Sequence, residues 1–141
     1  MKLLMVLLTL IYLLPTVVAE ELLVVVSEGS RVESLTKGEV VDLFMGRYVT
    51  FPNGDKARVF DLASKSKTKG QFYKLLVNRT EAQVNAYWAR LLFSGRSVPP
   101  EEADSPEALI TQIQQTDLAI GYISSQDLTE GLKVVYRFET F

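Results

Sequence analysis

Cysteine and histidine are both absent from this chain of 141 residues. Without cysteine no disulfide can staple the fold, so its stability has to come from burial, which a domain of this size can supply. Without histidine the commonest general base and the commonest transition-metal ligand are both missing. An excess of positive charge is missing too: 15 Lys and Arg stand against 17 Asp and Glu, a formal net charge of −2. Nonspecific nucleic-acid binding needs a basic face, so no nucleic acid is expected as a partner. There is no internal repeat, no long linker and no low-complexity tract.

Catalytic chemistry is correspondingly thin. No metal-ligand spacing occurs, and no two carboxylates form a recognisable acid/base pair. Glu20-Glu21 and Glu101-Glu102 read as solvated charge in a tail and a loop. Ser64-Lys65-Ser66-Lys67 has the residue types of a Ser–Lys hydrolase, but that pair needs a buried lysine of lowered pKa. Two lysines at a polar helix start are expected to be exposed. The chain is therefore expected not to be an enzyme and to carry no cofactor and no metal.

What is present begins with the N-terminus. Met1-Lys2 gives a positive start, and Leu3 to Leu14 is an apolar run broken only by Thr9 and Tyr12. Pro15-Thr16 interrupts the run, and Val17-Val18-Ala19 supplies small residues before Glu20. This is the layout of a secretory signal cleaved after Ala19, with residues 20–141 as one domain. The run is short for a membrane span, which needs about 20 apolar residues. Glu20 and Glu21 follow with no basic stop-transfer cluster, so no span is expected in the mature chain. No cysteine follows the run, so no lipid anchor is expected.

Along the rest of the chain, strand and helix patterns alternate. Leu22 to Val26 is a continuous apolar run that suits a strand buried on both faces. Thr36-Lys37-Gly38-Glu39 reads as a capping box opening a helix that Gly46 stops. After the turn at 51–55, Ala57 to Asp61 makes a short strand, and the polar segment Ser64 to Thr68 opens a second helix with Phe72, Leu75 and Leu76 inward. A third helix carries Val84, Tyr87, Trp88, Leu91 and Leu92, with Thr80 or its neighbour as cap. Ser105-Pro106 starts a fourth helix, with Leu109, Ile110 and Ile113 inward. Leu118 to Ile123 is a third strand. In the last, half-buried strand Leu132, Val134, Tyr136 and Phe138 alternate with Lys133, Val135 and Arg137. The order implies an α/β fold, a mostly parallel central sheet flanked by helices.

The candidate site is the strand-to-helix handover at Ser64, Ser66, Lys67 and Thr68. Helix-start N–H groups and the helix dipole favour an anion, hydroxyls add donors, and Lys65 and Lys67 add charge. An ordinary N-cap serine with solvated lysines explains the same residues. Asn78-Arg79-Thr80 matches a glycosylation sequon and equally fits a helix–helix junction. Tyr87 and Trp88 sit on an amphipathic stripe and read as core rather than pocket lining.

Taken together, Ser34 to Arg47 resembles the segment "sLt…l.diFlGk" of phosphate-type periplasmic solute-binding proteins, the substrate-binding components of ABC transporters. Phe51-Pro52-Asn53-Gly54 is similar to their "tWpdG", Val59 to Phe72 to the strand and helix start bearing "SGT…F", and Ala119 to Ile123 to "aIGYv". The resemblance implies a single periplasmic-binding-protein-like lobe, phosphate as ligand and a periplasmic location. Two departures go with it. Ser66-Lys67-Thr68 replaces Ser-Gly-Thr, and the family's arginine would fall at Leu62, beside Asp61. Two functions stand at this point: a small-oxyanion binder, or an interaction module that has lost anion binding and meets a protein partner or a second copy of itself.

Overall fold

The computed structural model describes residues 20–139. The signal-sequence reading falls on residues 1–19 and lies outside the described residues. The elements run β1 (Leu22–Ser27), α1 (Lys37–Phe44), β2 (Arg58–Leu62), α2 (Lys67–Val77), α3 (Glu81–Phe93), β3 (Glu101–Ala103), α4 (Pro106–Gln114), β4 (Ala119–Ser124) and β5 (Leu132–Arg137). A short 3-10 turn, Ser125–Asp127, joins β4 to β5. The strands form one sheet in the order β3-β2-β4-β1-β5. β2 is parallel to β3 and β4, whereas β1 is antiparallel to both of its neighbours, β4 and β5. Four strands therefore run one way and β1 alone runs the other.

Local chemistry places the helices where the sequence does. Thr36 and Glu39 close the capping box of α1. Gly46, just beyond α1, has φ +69, a conformation that glycine adopts without a Cβ penalty. Asn78 ends α2 in the left-handed region (φ 53), and Thr80 caps α3 with Gln83 completing a second box. The Asn78-Arg79-Thr80 segment is thus a helix–helix junction, closed by the Asn78 backbone on one side and by the Thr80 hydroxyl on the other.

Both faces of the sheet are covered, which explains why all six residues of β1 and of β4 are buried. On one face α4 lies directly on β4. A Cβ at Gly121 would stand 2.9 Å from both Leu109 Cδ2 and Ile113 Cδ1. On the other face Tyr122 stacks on Phe72 of α2 at 3.8 Å, and Phe44 of α1 meets Phe72 edge-on at 4.8 Å. Adjacent residues of one strand point to opposite faces, so Gly121 and Tyr122 mark the two layers. Trp88 is buried, as the stripe on α3 implies, and Tyr87 donates its hydroxyl to the Met45 carbonyl at 2.7 Å.

Four details differ from the sequence reading. Glu101 and Glu102 are not loop residues but two-thirds of strand β3, which makes Ala119–Ser124 the fourth strand. Glutamate disfavours strands and the segment is only three residues long, so composition hid it. Pairing offsets the charge: Arg58 holds Glu101 through two hydrogen bonds of 2.9 and 3.1 Å. In β5 the strict alternation fails, because Val135 is 4% exposed while Val134 and Tyr136 are only partly buried. Val24 pairs with Tyr136 and Val25 with Val134, so Val135 is the extra residue of a β-bulge, and a bulge re-aims a side chain. On α2 the inward residue beside Leu76 is Tyr73, with Leu75 largely exposed. On α3, likewise, Leu92 is exposed rather than inward.

Candidate functional site

Parallel pairing of β2 with β3 fixes the segment that leads into α2. Ala63 N–H donates to the Ala103 carbonyl at 3.0 Å, and the chain then turns through Ser64 and Lys65. Lys65 takes φ 67, which reverses the backbone ahead of the helix. Ser66 is the N-cap of α2, its hydroxyl accepting the Lys69 N–H at 3.3 Å. Ser64, Lys65 and Lys67 are exposed, and Ser66 and Thr68 are half-buried. The structure thus brings all four predicted site residues to one helix start. The exposure of both lysines is what a catalytic Ser–Lys pair forbids.

One contact was not anticipated. The carboxylate of Glu81, the first residue of α3, accepts the Lys65 N–H with both oxygens at 3.1 Å. A charged group receiving a backbone N–H in this way is the stronger kind of hydrogen bond. The turn ahead of α2 therefore already holds an anionic oxygen pair, supplied by the chain itself.

Below the turn lies a second cluster. Lys69 is 3% exposed, and its ammonium stands 3.5 Å from an Asp61 oxygen and 3.5 Å from a Glu102 oxygen. Asp61 is buried too. It accepts the Tyr73 hydroxyl at 2.7 Å, the Tyr122 hydroxyl in a very short hydrogen bond, and the Leu62 N–H at 2.8 Å. Burial raises the Asp61 pKa above the usual carboxyl range, partly offset by the Tyr122 hydrogen bond and by the Lys69 charge. Burial, with Asp61 alongside, pushes both phenols up, so Tyr73 and Tyr122 act as donors throughout the ordinary pH range. Leu62, where the family resemblance expects an arginine, is 2% exposed and part of the core.

Sequence reasoning missed Lys69, although the signal was there. Lys69, Phe72, Tyr73 and Leu76 are the four buried residues of α2, spaced i, i+3, i+4 and i+7. A lysine on an inward stripe, with an aspartate ending the neighbouring strand, announces a buried ion pair. The lysines singled out instead, Lys65 and Lys67, lie on the outer face.

Two hollows flank this region. A groove of about 550 Å³ runs between α2, the α2–α3 junction and the ends of β1 and β5. A smaller cavity of about 230 Å³ lies beneath α3, bordered by Asp61, Lys69, Trp88 and Glu102. Among the described residues no group of three or more metal-ligating side chains comes together, and no helix is long and apolar enough to cross a membrane.

No protein-family model matches the chain, and no curated protein matches it in sequence. Solved structures do match in fold. An ABC-type phosphate transport receptor from Vibrio cholerae superposes with a TM-score of 0.66 at 17% identity, covering 82% of this chain and 45% of its own length. A putative phosphate ABC transporter substrate-binding protein with bound phosphate, from Clostridium perfringens, gives 0.67 at 17% identity, covering 82% and 44%. PstS from Borrelia burgdorferi gives 0.62 at 16% identity, covering 82% and 46%. The chain thus spans less than half the length of each, and what it shares with them is their mixed α/β fold.

Proposed function

We propose that this chain is a non-catalytic, periplasmic solute-binding lobe, cleaved after Ala19, that takes a small oxyanion such as phosphate or sulfate on the turn Ser64–Thr68. The observation that carries this is the Glu81–Lys65 contact, in which a carboxylate already occupies a backbone amide of that turn. The oxyanion replaces Glu81 there and adds the amides of Lys67 and Thr68 at the helix start, where the dipole favours negative charge. The fold shared with phosphate-binding structures is consistent with this. With Leu62 in the core and Lys69 held by Asp61 and Glu102, amides and hydroxyls do the binding rather than a guanidinium fork. The turn covers one side of a ligand, so a second wall closing over it would tighten binding. Isothermal titration of the protein with phosphate and sulfate tests this: saturable heat at millimolar anion supports it, and no heat with no thermal shift overturns it.

A second reading has its own observation. Phe93 is 98% exposed at the end of α3, with Leu92 and Val98 also exposed nearby in the chain. Exposed apolar side chains of this kind suit an interaction module that meets a protein partner or a second copy. Light scattering coupled to size exclusion separates the two: a mass that rises with concentration and falls with Phe93→Ser favours the interaction module.

A further inference from the structure

Tyr48 borders two hollows of opposite charge. One, of about 360 Å³, has Glu39 and Asp42 on its wall and no cation among its lining residues. The other, of about 330 Å³, has Lys56 and Arg58 on its wall, with Glu101 as its one carboxylate. Arg58 already holds Glu101 through two hydrogen bonds, so the charge left over is that of Lys56, which has no ion-pair partner among the described residues. The apolar side chains here face outward: Tyr48 and Val49 are each 63% exposed, and Val98, on the wall of the basic hollow, is 75% exposed. The backbone beneath them is fixed from both sides. The N–H groups of Arg47 and Tyr48 donate to the Asp42 carbonyl at 2.8 and 3.1 Å, and the Ala57 N–H donates to the Val49 carbonyl at 2.9 Å. An exposed aromatic on a fixed backbone loses little freedom on binding, which is what an interface anchor needs.

We infer that Tyr48 and its two hollows form a self-complementary interface whose partner is a second copy of this chain. A two-fold axis beside Tyr48 sets the acidic hollow of each copy over the basic hollow of the other, so Glu39 and Asp42 meet Lys56 twice. Tyr48 and Val49 of the two copies pack at the centre, with the charges around them. A partner carrying one sign of charge satisfies one hollow and repels the other. A second copy carries both signs. Asp42 is available for this, because its own contact with Arg47 is an exposed one of 3.4 Å, a kind that contributes little. The basic hollow lies where β2 begins and the turn Ser64–Thr68 follows its other end, so the inference does not depend on the oxyanion reading. Phe93 borders neither hollow, so this face is distinct from the end of α3.

The test is sedimentation equilibrium of the protein over a range of concentrations, repeated on Tyr48→Ser, Phe93→Ser, Asp42→Lys, Lys56→Glu and an equimolar mixture of the last two. The mass is expected to rise toward twice the monomer value, and Tyr48→Ser to raise the dissociation constant at least about tenfold while Phe93→Ser leaves it unchanged. Each charge reversal alone is expected to weaken the dimer, because it sets like charges opposite each other. Mixing the two reversed variants restores opposite charges at both contacts, so a dimer reappears, and its reappearance requires both variants to be folded. A protein that stays monomeric at every concentration overturns the inference. So does a dimer that Phe93→Ser dissolves and Tyr48→Ser does not, which moves the interface to the end of α3. A dimer that neither charge reversal weakens, or a mixture no more associated than its separate components, overturns the two-fold pairing of the hollows.

Discussion

The carboxylate of Glu81 accepts the backbone N–H of Lys65 with both oxygens at 3.1 Å, joining the first residue of α3 to the turn that opens α2. The contact stabilises the turn and at the same time covers the anion position proposed for it. Removing the charge while keeping the shape separates the two effects. Glu81→Gln is expected to raise phosphate affinity by about two- to fivefold, since a charge at a helix start is worth roughly 0.3–1 kcal/mol. Its stability should fall by a similar amount, read as a shift in the urea midpoint.

The Lys69–Asp61 pair yields a pH prediction. Desolvation raises the Asp61 pKa and the Lys69 charge partly lowers it again. A carboxyl whose pKa is higher folded than unfolded binds more protons in the folded state, so its ionisation removes stability as pH rises from the usual carboxyl pKa through the raised one. Lys69→Met strips away the compensating charge and raises the Asp61 pKa further. The variant is therefore expected to lose about 3–5 kcal/mol near neutral pH, the range for breaking a buried pair, and less near pH 4. Urea unfolding at the two pH values checks it. A loss that does not depend on pH means that Lys69 contributes packing and not charge.

Gly46 tests the brace between α1 and α3. Its φ of +69 strains any L side chain, and a Cβ there would lie 2.6 Å from the Trp88 ring. Gly46→Ala is expected to destabilise by more than about 1 kcal/mol from backbone strain alone. Trp88 is the only tryptophan, so its displacement should appear as an altered fluorescence spectrum before unfolding. An unchanged spectrum with unchanged stability means that the contact relaxes without cost.

Losing the cap of α2 is a fourth test. Ser66→Ala leaves the Lys69 N–H without the oxygen it donates to, at a cost of about 1 kcal/mol. The same change removes a hydroxyl from the proposed anion position, so phosphate affinity should fall with it. Ser64, which is exposed and caps nothing, should affect affinity far less on substitution by alanine.

Elements with strong periodicity or paired caps were legible in the sequence. Leu22 to Val26, the Thr36–Glu39 box, Thr80 and Ser105-Pro106 all announce their structure through local chemistry, and local chemistry decided it. The illegible parts depend on distant partners. β3 exists because β2 offers an edge and Arg58 receives Glu101, which no window around residues 101–103 contains. The bulge at Val135 answers to the register of β1. At the candidate site the helix start and its exposed lysines were readable. The Glu81 contact was not, because 16 residues and a helix junction separate it from Lys65. Lys69 is readable in principle from its place in the stripe of α2, where a charge on an inward face is itself a signal.

The central claim is that the turn Ser64–Thr68 takes an oxyanion once Glu81 yields it. The most direct measurement is amide NMR of the protein and of Glu81→Gln during phosphate titration. The account predicts saturable shifts at the amides of Lys65, Lys67 and Thr68, reached at lower phosphate in the variant. Amides that stay in place at millimolar phosphate in both proteins, or that move equally over the whole surface, would contradict it.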